Sequence, residues 1–223
     1  KKKFLKLIKS AFENGADIVK IQTYEPKDIT LKNDNHKFYI KKRIWKNKHL
    51  WDLYSDACTP FSWHKDAFKL AKKLNKIIFS SPFSLRGVDL LEKLNVKIYK
   101  IASFEITDLK LIRYIASKKK PIIISTGMAS KNEINIAIKE IRKFHNKIII
   151  MHCVSDYPTD LKNTNLKNIK ILNKNYKKNL IGLSDHTKDI ISSLVSIPLG
   201  VVVIEKHFKL NSNSKSHDSS FSI

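Results

Sequence analysis

Lys100-Ile101-Ala102-Ser103-Phe104-Glu105 closes a β-branched run and opens a polar loop. Ser184-Asp185-His186 and Glu205-Lys206-His207 repeat that event twice more. Each segment sits where a buried parallel strand would end. In barrels of alternating strands and helices, the strand C-termini form the reactive face. A lysine, two histidines and several carboxylates gathered there point to an anionic substrate beside a metal.

Working outward, the chain alternates throughout. Residues 1–14 read as a helix and Ala16–Thr23 as a strand. A helical stretch lies within Tyr54–Asn75, starting near Thr59-Pro60. Strand Ile77–Ser81, helix Leu85–Leu94, strand Lys97–Ala102 and helix Thr107–Lys118 follow. Then come strand Pro121–Thr126, helix Lys131–Phe144, strand Lys147–Val154, a loop through Tyr157-Pro158-Thr159 and a helix near Asn165–Asn175. Strand Leu180–Leu183, helix Asp189–Leu199 and strand Val201–Ile204 precede a polar tail. The strands are short and rich in Ile and Val, with no polar-out alternation, as expected of parallel strands buried on both faces. This spacing predicts an α/β chain of the (β/α)8 TIM-barrel type, with a doubly wound sheet as the alternative. The pattern yields seven strands and opens on a helix. The expectation is therefore one partial barrel domain over residues 1–223, lacking its first strand. Tyr24 to Leu53 reads as a partly structured loop over the barrel mouth.

Composition narrows the function classes. A chain of 223 residues with 42% hydrophobic residues suits one soluble domain. Its longest apolar runs, such as Ile122–Ile124 and Val201–Ile204, are far short of a membrane span. Lys1-Lys2-Lys3-Phe4-Leu5 leads into an amphipathic helix rather than a signal peptide, so a cytoplasmic location is expected. The net charge of +23 invites a nucleic-acid reading. Only Arg43, Arg86, Arg113 and Arg142 among the 43 basic residues are arginines, and the lysines are spread along helix surfaces. That spread argues against nucleic-acid binding, while a positive field suits anionic substrates. Cys58 and Cys153 are far apart and have no CxxC partner, so neither a zinc knuckle nor a disulfide framework is expected. Cys153 reads as a small buried thiol.

Several side chains are candidates for chemistry. Lys20 and Gln22 share one strand face. Lys20 and Lys100, each on an apolar strand, need partners if buried. An anionic ligand would satisfy them, and so would an inward carboxylate. Ser80, Ser81, Ser103, Ser125, Thr126 and Ser184 place hydroxyls at strand ends, where βα loops cradle phosphates. Ser103 and Ser130 have the alternative role of helix caps. His186 and His207 close adjacent strands about 4.8 Å apart and together can ligate one divalent metal in an open site, Mn2+ or Mg2+ rather than tightly held zinc. Glu205 is a candidate third contact or outer partner, and Asp185 an outer partner or N-cap. Glu105 is either a general base or sugar-hydroxyl acceptor, or a first-turn helix carboxylate.

The segments Gly15–Thr23, Phe79–Phe83, Lys100–Glu105, Ser125–Met128, Tyr157–Thr159, Gly182–Thr187 and Ile204–Phe208 resemble the sialic acid synthase family, in order from about residue 11 to the end. Ile21-Gln22-Thr23-Tyr24, Trp51–Tyr54, Thr59–His64 and Ile101–Glu105 look most like the branch of that family that makes pseudaminic acid. Ser155 stands where sialic acid synthases tend to have asparagine.

The resemblance implies a transferase that condenses phosphoenolpyruvate with an amino sugar, here 2,4-diacetamido-2,4,6-trideoxy-altrose, and releases phosphate. It implies that Lys20, Lys100, Ser81, Ser103, Ser125 and Ser184 hold phosphoenolpyruvate with Tyr157 nearby. Gln22, Glu105 and Asp218 would contact the sugar, and His186 and His207 would bind the metal. Members carry a first strand with a Glu-Ile-Gly-x-Asn-His segment, expected before Lys1. They also carry a small C-terminal antifreeze-like domain, expected after Ile223, which gives an arginine to the partner's site in a domain-swapped homodimer. An N-acetylneuraminate or legionaminate synthase is the rival within the family. A basic, non-catalytic nucleic-acid-binding barrel is the rival outside it.

Overall fold

The computed structural model describes residues 1–41, 43–214 and 216–223, with Arg43 described through its backbone. The chain separates into two compact units, Lys1–Lys97 and Ile98–Ile223.

The first unit runs α1 (Lys2–Glu13), β1 (Ile18–Thr23), α2 (Leu50–Ala57), α3 (Phe61–Lys73), β2 (Ile77–Pro82) and α4 (Leu85–Lys93). Apolar residues at helical spacing give α1 one buried face, and Ile8 and Phe12 pack with Ile21, Ala67, Ala71 and Ile78. Strands β1 and β2 are parallel, with Gln22 opposite Ser81. Behind them, His64 Nδ1 lies 3.2 Å from the Pro60 carbonyl and its Nε2 lies 2.8 Å from the Thr23 hydroxyl. Burial pushes the His64 imidazole below its ordinary pKa, so one ring N–H donates to the carbonyl and the other nitrogen accepts from Thr23. The described part of the Tyr24–Leu53 stretch holds three 3-10 turns, and the helix expected to start near Thr59-Pro60 is α3, with Pro60 as its N-cap. Pro60 disfavours a helical Thr59, so α2 ends before it as a separate helix that the sequence reading did not anticipate.

The second unit runs β3 (Tyr99–Ile101), α5 (Leu109–Ser117), β4 (Ile122–Ser125), α6 (Lys131–Arg142), β5 (Ile148–Cys153), α7 (Lys167–Asn175), β6 (Leu180–Asp185), α8 (Ile191–Ser196) and β7 (Val203–Lys206). Its strands pair in parallel and in sequence order. Ser130 caps α6 in a reciprocal box with Glu133, and Asp108 caps α5.

Two expectations need correction. Ser184, Asp185, Glu205 and Lys206 belong to strands rather than to the loops after them. Polar residues at the open end of a parallel strand keep their ladder bonds, so polarity alone misplaces the boundary. Strands β1 and β7 are also not buried on both faces: Ile18 is 40% and Ile204 41% exposed. Each pairs through one edge, with β2 and β6 respectively.

Candidate functional site

Strand alternation sorts the second unit into two faces. The register puts Lys100 beside Ile123, Ser125 beside Met151, Cys153 beside Ser184, and Ser184 beside Glu205. All of these share one face. Tyr99, Ile101, His152, Asp185 and Lys206 take the other.

Lys100 is 1% exposed and reaches the Glu205 carboxylate at 2.9 and 3.0 Å. Ser184 Oγ donates to the same carboxylate at 2.9 Å. The inward carboxylate anticipated as an alternative for a buried lysine is therefore present. Glu205 serves Lys100 and Ser184 in this structure rather than a metal. Met151 Sδ lies 3.3 Å from Lys100 Nζ. A Cβ at Gly182 would sit 2.8 Å from the Val203 carbonyl and 3.1 Å from Met151, so only glycine lets these groups approach.

Ser103 does not cap a helix through its side chain; its Oγ accepts from the Gly127 N–H at 3.2 Å. Ser125 Oγ is buried without a hydrogen-bond partner, and so is Glu105 Oε2. Burial drives the Glu105 pKa from 4.5 up to about 7, with a smaller push from Asp108. Glu105 does stand in the first turn of a short 3-10 helix over Ser103–Thr107, yet burial outweighs any stabilisation of the anion there; Asp108 caps α5. Two orphaned polar atoms at one end of a sheet are what a site built for a polar ligand leaves behind.

His186 and His207 follow neighbouring strands, and their ring centroids lie 5.4 Å apart. His186 Nδ1 is 2.9 Å from the Val154 carbonyl, and His207 Nδ1 is 3.3 Å from Asp218 Oδ2. Both contacts favour the tautomer with its lone pair on Nε2, the arrangement seen behind metal-bound imidazoles. Asp218 thus stands against His207. Burial alone would raise its carboxyl, but the His207 hydrogen bond and the neighbouring imidazoles of His207, His217 and His186 together outweigh that and hold it low. Tyr157 packs on His186 at 4.4 Å, and Phe221, fully buried, packs on Tyr157 at 5.3 Å and on His207 at 4.8 Å. Burial pushes the Tyr157 hydroxyl well above its ordinary range. Among the described residues no group of three or more His, Cys, Asp or Glu side chains is arranged around a metal. The donor set is therefore two imidazoles, which suits a weakly held, open-sided cation.

Cys153 is the small buried thiol the sequence suggests, but it has charged and polar neighbours. Its Sγ is 3.9 Å from both His186 Nδ1 and Ser155 Oγ. Burial pushes the thiol up, yet His186, Ser103 and the charge of Lys100 outweigh it and bring its pKa to about 7. Nothing in the local sequence signals this, because the partners come from other strands. Phe221 was equally silent as a lone aromatic in a polar tail. Lys20 is half-buried, Gln22 exposed and Ser81 buried; all three lie in the first unit.

The family model described as the NeuB family matches residues 7–223. The pseudaminic acid synthase of Helicobacter pylori is 44% identical over 212 residues, covering 95% of this chain and 62% of that protein. The Campylobacter jejuni pseudaminic acid synthase is 41% identical, covering 98% of this chain and 64% of its own length. The chain thus spans a little under two thirds of these relatives. The crystal structure of an N-acetylneuraminic acid synthetase from Leptospira borgpetersenii in complex with citrate superimposes with a TM-score of 0.88 at 27% identity, covering all of this chain and 73% of that one. The fold is of the TIM-barrel type, with seven parallel strands among the described residues. No described helix is long and apolar enough to cross a membrane. The chain belongs to the NeuB family.

Proposed function

We propose that this member of the NeuB family takes part in making pseudaminic acid, by condensing phosphoenolpyruvate with 2,4-diacetamido-2,4,6-trideoxy-altrose. The observation that carries the reading is the pair of imidazoles 5.4 Å apart, with Nδ1 of each engaged, next to a buried lysine and two orphaned polar atoms. The likeness to the two pseudaminic acid synthases supports the choice of sugar.

His186 and His207 are the residues that would hold a divalent cation, Mn2+ or Mg2+. Bound there, the cation supplies Lewis-acid polarisation of the sugar's aldehyde oxygen. Lys100, Ser103, Ser125 and Ser184 hold the phosphate and carboxylate of phosphoenolpyruvate. Carbon 3 of phosphoenolpyruvate bonds to the aldehyde carbon as the carbonyl π bond opens and its oxygen takes up a proton, and positive charge develops at carbon 2. Water adds at carbon 2 and gives up a proton, then the carbon 2–oxygen bond breaks and inorganic phosphate leaves. Glu105, with a pKa of about 7, is matched to taking that proton or exchanging one with a sugar hydroxyl. Asp218 orients the sugar, and Tyr157 walls the imidazoles. A homodimer and a cytoplasmic location accompany this reading.

The test uses this chain and a version extended to the full length of its curated relatives. Each is mixed with phosphoenolpyruvate, Mn2+ and one of three sugars: the altrose derivative, N-acetylmannosamine or the legionaminate precursor. Phosphate release and product mass are followed, with His186→Ala and a chelator as controls. Turnover of the altrose sugar alone, lost in both controls, supports the reading. Preference for another sugar moves the chain to another branch of the family. No phosphate release from folded extended protein sinks the synthase reading.

A further inference from the structure

The strands that deliver His186 and His207 are joined behind the site by a buried ion pair. Asp185 and Lys206 are direct partners in the parallel register. Each immediately precedes one of the histidines. Lys206 Nζ lies 3.0 Å from Asp185 Oδ2, with side chains 7% and 2% exposed. The pair does more than neutralise itself. Asp185 Oδ1 accepts from the Thr187 N–H at 2.9 Å and its hydroxyl at 2.8 Å, and Asp185 Oδ2 accepts from Ser193 of α8 at 2.7 Å. Lys206 also donates to the Thr187 carbonyl at 2.8 Å. Lys206 thereby holds the residues on both sides of His186, Asp185 through its carboxylate and Thr187 through its carbonyl, while sitting one residue before His207.

We infer that Asp185 and Lys206 are positioning residues that set the separation and orientation of the two imidazoles; this rests on reading those imidazoles as metal ligands. Two ligands on separate strands cannot fix each other, and an open site has no third protein ligand to do it. A link from strand to strand on the opposite face leaves the reactive side clear. Outer partners of this kind commonly change metal affinity by ten- to a hundredfold.

The experiment compares Asp185→Asn, Lys206→Met, the double variant and the milder Ser193→Ala, which trims one hydrogen bond and should keep the fold. Mn2+ affinity is measured by electron paramagnetic resonance well below each variant's melting temperature. The ring separation is read from metal-free crystals. The single charge variants should bind Mn2+ about ten- to a hundredfold more weakly, and Ser193→Ala several-fold more weakly. The double variant carries no unpaired charge, so its melting temperature should recover while its Mn2+ affinity stays weak. Affinity that recovers together with stability would reduce the pair to a structural role. Wild-type affinity and ring geometry in folded variants would overturn the inference. His186→Ala separates the two readings. If it binds Mn2+ like wild type, the metal reading falls and the crystals alone decide: displaced rings support positioning, and unmoved rings refute it.

Discussion

Glu105→Gln should stabilise the folded protein above neutral pH and do almost nothing below pH 4.5. The Glu105 carboxyl ionises near 4.5 in an unfolded chain and near 7 in the folded one, because burial penalises its charge and Oε2 has no hydrogen-bond donor. The direction follows from which state holds the proton. Below pH 4.5 both states are protonated and the glutamate is harmless. Between 4.5 and 7 the unfolded chain has released its proton while the folded chain retains it, so stability falls as pH rises. Above 7 the full penalty stands. At about 1.4 kcal/mol per pH unit, the penalty reaches roughly 3 kcal/mol. Glutamine has nearly the same shape and no charge, so it escapes this. Urea unfolding of wild type and variant at pH 4.5, 6 and 8 measures it directly. The stability difference should grow by roughly 2–4 kcal/mol across that range, while turnover in the phosphate-release assay drops. A difference that stays flat with pH would show that the folded carboxylate is well solvated, and the assignment of Glu105 as a near-neutral proton acceptor would go with it.

Other substitutions test neighbouring parts of the site. Lys100→Met removes the ammonium from a carboxylate that is itself mostly buried, and should cost about 3–5 kcal/mol; at 2–4 °C per kcal/mol this lowers the melting temperature by roughly 6–20 °C. Lys100→Met combined with Glu205→Gln should recover most of that loss while leaving turnover abolished; a double variant no more stable than the single would argue against the ion pair. Gly182→Ala forces a Cβ to within 2.8 Å of the Val203 carbonyl, which is backbone and cannot rotate away. A loss of about 1–3 kcal/mol in chemical denaturation is expected, as for other overpacked positions. Gly127→Ala drives a Cβ into Ser155 Oγ and to 2.9 Å from Ser103 Oγ, both rotatable hydroxyls. Its melting temperature should fall only slightly, whereas the KM for phosphoenolpyruvate should rise severalfold; the reverse pattern would place Ser103 outside the binding surface.

The sequence was most readable where one residue type suffices for a role. The β-branched runs located all seven strands, because parallel strands covered by helices demand them. His186 and His207 were legible as a pair because consecutive strands of a parallel sheet are neighbours. Lys100 was legible only as a question: a lysine on an apolar strand needs a partner, but two kinds of partner satisfy it. Its carboxylate is 105 residues away, and no local pattern shows the two converge. The same blindness hid Cys153 beside His186 and Phe221 beside both imidazoles. The boundary errors at Ser184-Asp185 and Glu205-Lys206 have a different cause. At a strand's open end, alternate residues serve opposite sides of the sheet: Glu205 meets Lys100 and Ser184, while Asp185 and Lys206 meet each other beneath α8. Read in one dimension, four polar residues in two short runs look like loops. Read with period two, they separate into one layer that faces the site and another that holds the site's ligands in place. The outer layer needs burial and exact pairing as much as any core, which is why the Asp185 and Lys206 side chains, loop-like in sequence, are only 2% and 7% exposed.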